Sequence, residues 1–182
     1  MKKYIYIIFS LLLITWVCAS DFDFRQINWG MGRQQVIQSE KNKIITQDED
    51  NLVYECQINN KECSLIYGFN NKKLVCAVYY FHIRHVNLND YIDDYYELQN
   101  LLASKYNEPI LNEAVWKNNL FKNNRLKYGA AISLGHLIYI TKWESEKTNV
   151  MLSLTGDNYE VQLSILYSDK NYIPETPATD DL

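Results

Sequence analysis

Histidine is scarce in this chain, with three residues in 182, and only His82 and His85 stand close together. At i and i+3 on an extended segment they point to opposite faces, a poor arrangement for sharing a metal, and His136 stands apart beside Gly135. Gly-x-Ser-x-Gly, a phosphate-binding glycine loop and His-Glu-x-x-His are all absent. No nucleophile elbow, nucleotide cradle or zinc-protease helix can therefore be placed. Asp90, Asp93 and Asp94 lack the glycine-containing loop with alternating carboxylates that calcium sites of the EF-hand kind need, and a helix start accounts for them. A partnership assembled only in space leaves no sequence signature; Cys76 beside a strand histidine is the least poor candidate. The expectation is no catalytic residue, no metal and no cofactor. Positive charge is short as well, at 18 Lys and Arg against 22 Asp and Glu. Without Lys2 and Lys3 the balance is 16 against 22, or −6, which argues against nucleic acid and fits ordinary solubility.

One long apolar run is present, from Ile5 to Val17, interrupted by Ser10 and Thr15. Lys2 and Lys3 precede it and the small residues Cys18-Ala19-Ser20 close it. That order reads as a secretory signal over residues 1–19, too short and too well terminated for a membrane span. Cleavage after Ala19 fits the small-residue rule. Lipid attachment at Cys18 is the disfavoured alternative, because Val17 and Thr15 stand where a small residue and a leucine are usual. A lipid there would be only a tether, leaving the domain itself soluble. The expected location is outside the cytoplasm, periplasmic or secreted, with a membrane-anchored lipoprotein as the alternative.

Roughly 160 residues then remain, which suits one domain with its own core. We place it at residues 21–172, with halves near 21–108 and 109–172, followed by a Pro-, Thr- and Asp-rich disordered tail at 173–182. Phe22, Phe24, Ile27 and Trp29 are candidate anchors before a short helix, Arg33 to Glu40, with Gly32 as its N-cap. Three strands are predicted over Leu52–Cys56, Cys63–Phe69 and Lys73–Ile83, joined by turns at Asn59-Asn60 and Asn70-Asn71. The third is apolar on both faces and belongs in the middle of a sheet. Asn89 to Tyr106 is the strongest helix, with Tyr91, Tyr95, Leu98, Leu102 and Tyr106 on one stripe. The signal weakens from Ile110 to Gly135, where Trp116, Leu120 and Phe121 are candidate core contacts and Tyr128–Ser133 a short helical turn. Three more strands follow over Leu137–Trp143, Asn149–Leu154 and Tyr159–Tyr167, the last two joined by Gly156-Asp157-Asn158. The fold class is α+β: antiparallel meander sheet with helices on one face, suggesting two helix-plus-three-strand halves.

A two-residue turn at Asn59-Asn60 sets Cys56 opposite Cys63. Cross-strand Cα separations of about 4.5–5.5 Å lie within disulfide range, so a structural disulfide is expected in an exported protein. The alternative is two free, half-buried thiols. Cys76 reads as a small core residue. The fifteen tyrosines suit half-buried strands, and most are expected in the core; several sharing an exposed face would form a recognition surface.

Phe24-Arg25-Gln26-Ile27-Asn28-Trp29-Gly30-Met31, followed by Gln35-Val36, resembles the opening of a loose group of uncharacterised exported bacterial proteins and lipoproteins. Their pattern is an aromatic, four residues, then Trp-Gly-Met. Lys105-Tyr106-Asn107-Glu108-Pro109 and Trp143-Glu144 are similar to that group's helix end and closing strands. The Gly-Met phrase also resembles small outer-membrane assembly lipoproteins of the SmpA/OmlA type and, more distantly, the β-lactamase-inhibitor-protein fold. These resemblances imply a binding module without catalytic residues. The expected function is an exported, non-enzymatic envelope protein that engages an envelope or extracellular macromolecule. A secreted enzyme inhibitor using the Ile110–Lys127 region is the alternative, ahead of a hydrolase with an unrecognised site.

Overall fold

Two antiparallel meanders meet edge to edge in one sheet. The first holds β1 (Ile44–Gln47), β2 (Asn51–Ile58), β3 (Lys61–Asn70) and β4 (Lys73–Phe81), preceded by α1 (Arg33–Ser39). The second holds β5 (Leu111–Trp116), β6 (Leu137–Glu144), β7 (Thr148–Asp157) and β8 (Glu160–Asp169). Helix α2 (Asp90–Tyr106) precedes β5, and a 3-10 turn (Arg125–Lys127) leads into α3 (Tyr128–Ser133) before β6. Strand β4 pairs with β8, giving the order β1-β2-β3-β4-β8-β7-β6-β5. The computed structural model describes residues 22–172; the expected leader 1–19, Cys18 and the tail 173–182 lie outside the described residues.

Each half therefore contributes four strands where three are predicted. The two missed strands, β1 and β5, are the outer edges of the sheet. All four residues of β1 are exposed, and β5 carries Asn112, Glu113 and Ala114 in a row with its four central residues exposed, so neither shows the alternation of a half-buried strand. The expected central position of β4 holds, between β3 and β8. Its phase does not. A register shift opposite Gly68/Phe69 places Leu74 with the buried Ala77, Tyr79 and Phe81, whereas strict alternation puts Leu74 with Cys76, Val78 and Tyr80.

Turn chemistry explains two further corrections. Asn59 and Asn60 sit at φ 49° and 62°, as the first hairpin requires. The turn expected at Asn70-Asn71 falls one residue later, on Asn71-Lys72, and the one expected at Gly156-Asp157-Asn158 falls on Asn158-Tyr159, all at positive φ. Gly156 is not a turn residue but lies in β7 opposite Val161. A Cβ there would stand 2.3 Å from the Ile132 carbonyl oxygen, so the glycine lets the end of α3 approach the sheet.

Burial runs along every second residue of the strands, through Leu52, Tyr54, Leu65, Tyr67, Tyr79, Ile165, Tyr167, Leu152, Tyr139 and Trp143. Helix α2 buries Tyr91, Tyr95, Leu98 and Leu102, the predicted stripe, with Tyr106 half-buried. Asn107 takes the positive-φ position that ends it, and its carbonyl accepts from Trp143 Nε1 at 3.0 Å. Asn89 does not cap its own helix. Its side chain accepts from the Gly129 N–H at 2.7 Å and donates to the Leu126 carbonyl, fastening the start of α2 to α3. Among the expected anchors, Phe24 and Ile27 are buried and Trp29 donates to Thr148 Oγ1 at 2.8 Å. Phe22 is exposed, and so is Leu120 at 70%, while Trp116 and Phe121 pack on the core. Of the tyrosines on strands and α2, Tyr54, Tyr67, Tyr79, Tyr139, Tyr167, Tyr91 and Tyr95 are core; Tyr80 and Tyr96 are exposed.

Candidate functional site

Strand register puts an apolar row on the sheet face opposite the buried residues. Val53 pairs with Ile66, Ile66 with Val78, Val78 with Leu166, and Leu166 with Met151, crossing five strands without a break. All five are half-buried. The row above it runs Glu55, Ser64, Tyr80, Ser164, Ser153, Ile140, and the row below runs Asn51, Gly68, Cys76, Ser168, Asn149. An apolar stripe thus lies between two rows dominated by small polar side chains, with Ser153 and Ser164 hydrogen-bonded at 3.0 Å. An apolar centre with a polar border is the composition of a recognition surface.

A second constellation forms where the N-terminal segment crosses the first meander. Phe24 and Ile27 exchange backbone hydrogen bonds at 3.0 and 2.9 Å, closing a tight turn that sets Arg25 at φ 54°. That left-handed conformation is strained for a non-glycine residue and persists only where surrounding contacts determine it. The contacts are numerous. Arg25 Nη1 donates to Tyr79 Oη at 3.3 Å and to Cys56 Sγ at 3.7 Å. Its Nη2 and Nε face the two Glu40 oxygens at 3.4 Å each. Glu40, whose side chain is 2% exposed, also accepts from the Tyr67 hydroxyl at 2.7 Å and from the N–H groups of Lys41 and Asn42. Burial, then the hydrogen bond to Glu40, pushes the Tyr67 phenol well above its ordinary range, so it stays a donor.

Cys56 and Cys63 are cross-strand partners in the register expected from the Asn59-Asn60 turn, and both are free thiols. Cys63 is 2% exposed, while Cys56 is half-buried. Both line an open cleft of 460 Å³ bordered by Lys43, Gln57, Ser64 and His82. The Cys63 thiol hydrogen-bonds the Cys56 sulfur and favours its thiolate, and Arg25 adds to this against the opposing effect of partial burial. The shared hydrogen bond and burial hold Cys63 protonated. When one thiol of the pair ionises, the charge is therefore favoured on Cys56 and the proton on Cys63.

Of the other residues singled out from the sequence, His82 borders the same cleft, whereas His85, His136, Asp94 and Cys76 lie elsewhere. His82 Nε2 meets Ser64 Oγ at 2.7 Å, and His85 Nε2 meets Asp94 Oδ2 at 2.5 Å. His136 stacks on Phe121. Asp94 is more than a helix-start charge: it is buried and also bonds Lys61 Nζ at 2.8 Å, tying α2 to the first hairpin. Cys76 is half-buried on the sheet face opposite the core row, and a Cβ on Gly68 would lie 2.6 Å from its sulfur. Among the described residues, no group of three or more His, Cys, Asp or Glu is placed to hold a metal ion, and no helix is long and apolar enough to cross a membrane. The residues that sequence reasoning missed are Arg25 and Glu40; the tight turn that aims Arg25 has no glycine or proline to mark it. Comparison with protein-family models, curated proteins and solved structures finds no match.

Proposed function

We propose that this chain is an exported, non-enzymatic binding module of the cell envelope or cell exterior. Its partner is a macromolecule met outside the cytoplasm, and contact with a membrane would come only through a lipid on Cys18. In this reading α1, α2 and α3 cover one face of the sheet and leave the other to the partner. Contacts that support it include the Tyr95 hydroxyl against Thr141 Oγ1 at 2.5 Å and the Tyr67 hydroxyl against Glu40 at the end of α1.

The observation that carries the proposal is the row from Val53 to Met151. A solvated antiparallel face is ordinarily polar at alternate positions, and an uninterrupted apolar row there is unexplained by the fold itself. The test substitutes Ile66→Lys and Leu166→Lys on this face, with folding checked by circular dichroism, and compares capture from an envelope fraction at low salt. A stoichiometric partner retained by the wild-type chain and lost by both variants is the expected result. Repeated failure of the wild-type chain to retain any partner would refute it. The inhibitor reading has one observation in its favour: Leu120 and Leu126, 70% and 83% exposed, project from the segment between β5 and α3. Inhibition of a hydrolase that vanishes in Leu120→Ser and Leu126→Ser, but not in the sheet-face variants, would favour it.

A further inference from the structure

We propose that Cys56 and Cys63 form a thiol–disulfide exchange couple for small-molecule disulfides, with Cys56 attacking, Cys63 resolving and Arg25 the positioning cation.

Three geometric observations carry this. The two cysteines share a face of the β2–β3 hairpin as direct partners. Counting back from the Ile58–Lys61 pair that closes the turn, 56 and 63 fall on a hydrogen-bonded pair, with Cα atoms about 5.5 Å apart. That separation lies within the disulfide range. Access is unequal: Cys56 is half-buried and meets Arg25 at an exposed contact, whereas Cys63 is 2% exposed and is reached chiefly from its partner. A small disulfide arriving at the exposed Arg25–Cys56 contact therefore meets Cys56 first. Lastly, Arg25 is held at a strained φ of 54° by the Phe24–Ile27 turn and by Glu40 and Tyr79, which leaves one edge of its guanidinium 3.7 Å from Cys56 Sγ. A cation beside one member of a cysteine pair favours the thiolate that exchange requires. Cys76 lies on the opposite face, where burial pushes its thiol up, and serves as an internal control.

The chemistry closes in two displacements. The Cys56 thiolate attacks one sulfur of R–S–S–R; that bond breaks, and RS⁻ leaves with the electron pair and takes a proton from water. Cys63 releases its proton and attacks the Cys56 sulfur, forming Cys56–Cys63 and expelling the second RS⁻, which is protonated in turn. Two electrons pass from the dithiol to the substrate disulfide. The couple is restored by the reverse steps with two thiols.

Oxidised glutathione and the purified full-length chain test this by mass spectrometry of peptides. The wild-type chain should lose two hydrogens and form Cys56–Cys63 without accumulating an adduct. Cys63→Ser should instead accumulate glutathione on Cys56, and Cys56→Ser should form no adduct at Cys63. Excess reduced glutathione should reopen the wild-type pair. Alkylation of Cys56 should reach half its maximal rate below the ordinary thiol value of about 8.5, and Arg25→Gln should move that midpoint upward while Arg25→Lys largely restores it. Because a more acidic thiolate is also a weaker nucleophile, Arg25→Gln should slow glutathione attachment near neutral pH by only about threefold. Attachment to Cys56 of Cys63→Ser no faster than to Cys76 would overturn the proposal. So would a wild-type disulfide that excess reduced glutathione leaves closed, which would mark a static crosslink.

Discussion

Removing the Tyr67 hydroxyl isolates one interaction inside the Arg25–Glu40 cluster. In Tyr67→Phe the ring stays, with its edge contacts to Phe24 at 5.9 Å and Tyr54 at 5.7 Å, so apolar burial is almost unchanged. What goes is the 2.7 Å hydrogen bond to Glu40, a carboxylate with 2% of its side chain exposed. Water cannot readily replace the lost donor at that depth. A hydrogen bond to a charged group contributes about 1.5–3 kcal/mol. Arg25 and the N–H groups of Lys41 and Asn42 still hold the carboxylate, which places the expected loss near 2 kcal/mol. For a domain of this size that lowers Tm by about 4–8 °C. Urea unfolding followed by tryptophan fluorescence and circular dichroism measures it, with an unchanged m value showing that stability alone has moved. The double variant with Glu40→Gln completes a cycle, in which a coupling of about 1 kcal/mol or more is expected. A loss in Tyr67→Phe below about 0.5 kcal/mol, the size of an ordinary surface change, would refute the role given to this hydroxyl.

Gly156→Ala should destabilise the chain by about 1–3 kcal/mol, because the new Cβ meets the Ile132 and Glu160 carbonyl oxygens at 2.3 and 2.8 Å, backbone atoms that cannot swing aside; a thermal melt unchanged from wild type would contradict this packing. Thr141→Val should cost about 1–3 kcal/mol, since the fully buried Tyr95 hydroxyl loses its partner and Gln99 loses an acceptor; Tyr95→Phe in the same background should recover part of the loss. Alkali should unfold the protein through its buried phenols. Burial pushes Tyr79 and Tyr95 up to about 12, so both contribute stability that is fully present below about pH 10, the unfolded value, and is lost as pH rises toward 12. Denaturant midpoints measured from pH 8 to 12 should stay level to about pH 10 and then fall; a level profile to pH 12 would contradict the burial.

The legibility of this chain varied with how locally each feature is encoded. Helix α2 was readable because its stripe, acidic start and Asn107 terminus all lie in contiguous sequence. The central position of β4 was readable for the same reason, from apolar residues on both faces. The Asn59-Asn60 turn fixed the pairing of Cys56 with Cys63, since a two-residue hairpin leaves no freedom of register. Strands β1 and β5 escaped because an edge strand needs neither alternation nor two apolar faces. The bulge opposite Gly68 escaped because it depends on the neighbouring strand, and it moves Leu74 to the other face.

By itself, then, the sequence determined local elements, the Asn59-Asn60 turn, and which residues could share a face, because those follow from turn chemistry and from spacing of two or 3.6 along one segment. Only the tertiary structure decided which faces meet. It joined the two meanders through β4 and β8, and so lined Val53, Ile66, Val78, Leu166 and Met151 into one row from residues more than a hundred positions apart. It also brought Arg25 to Cys56 across 31 residues and made one thiol of a symmetrical-looking pair accessible and the other buried. Neither arrangement has a sequence period, since each is set by how separate segments pack against a common sheet.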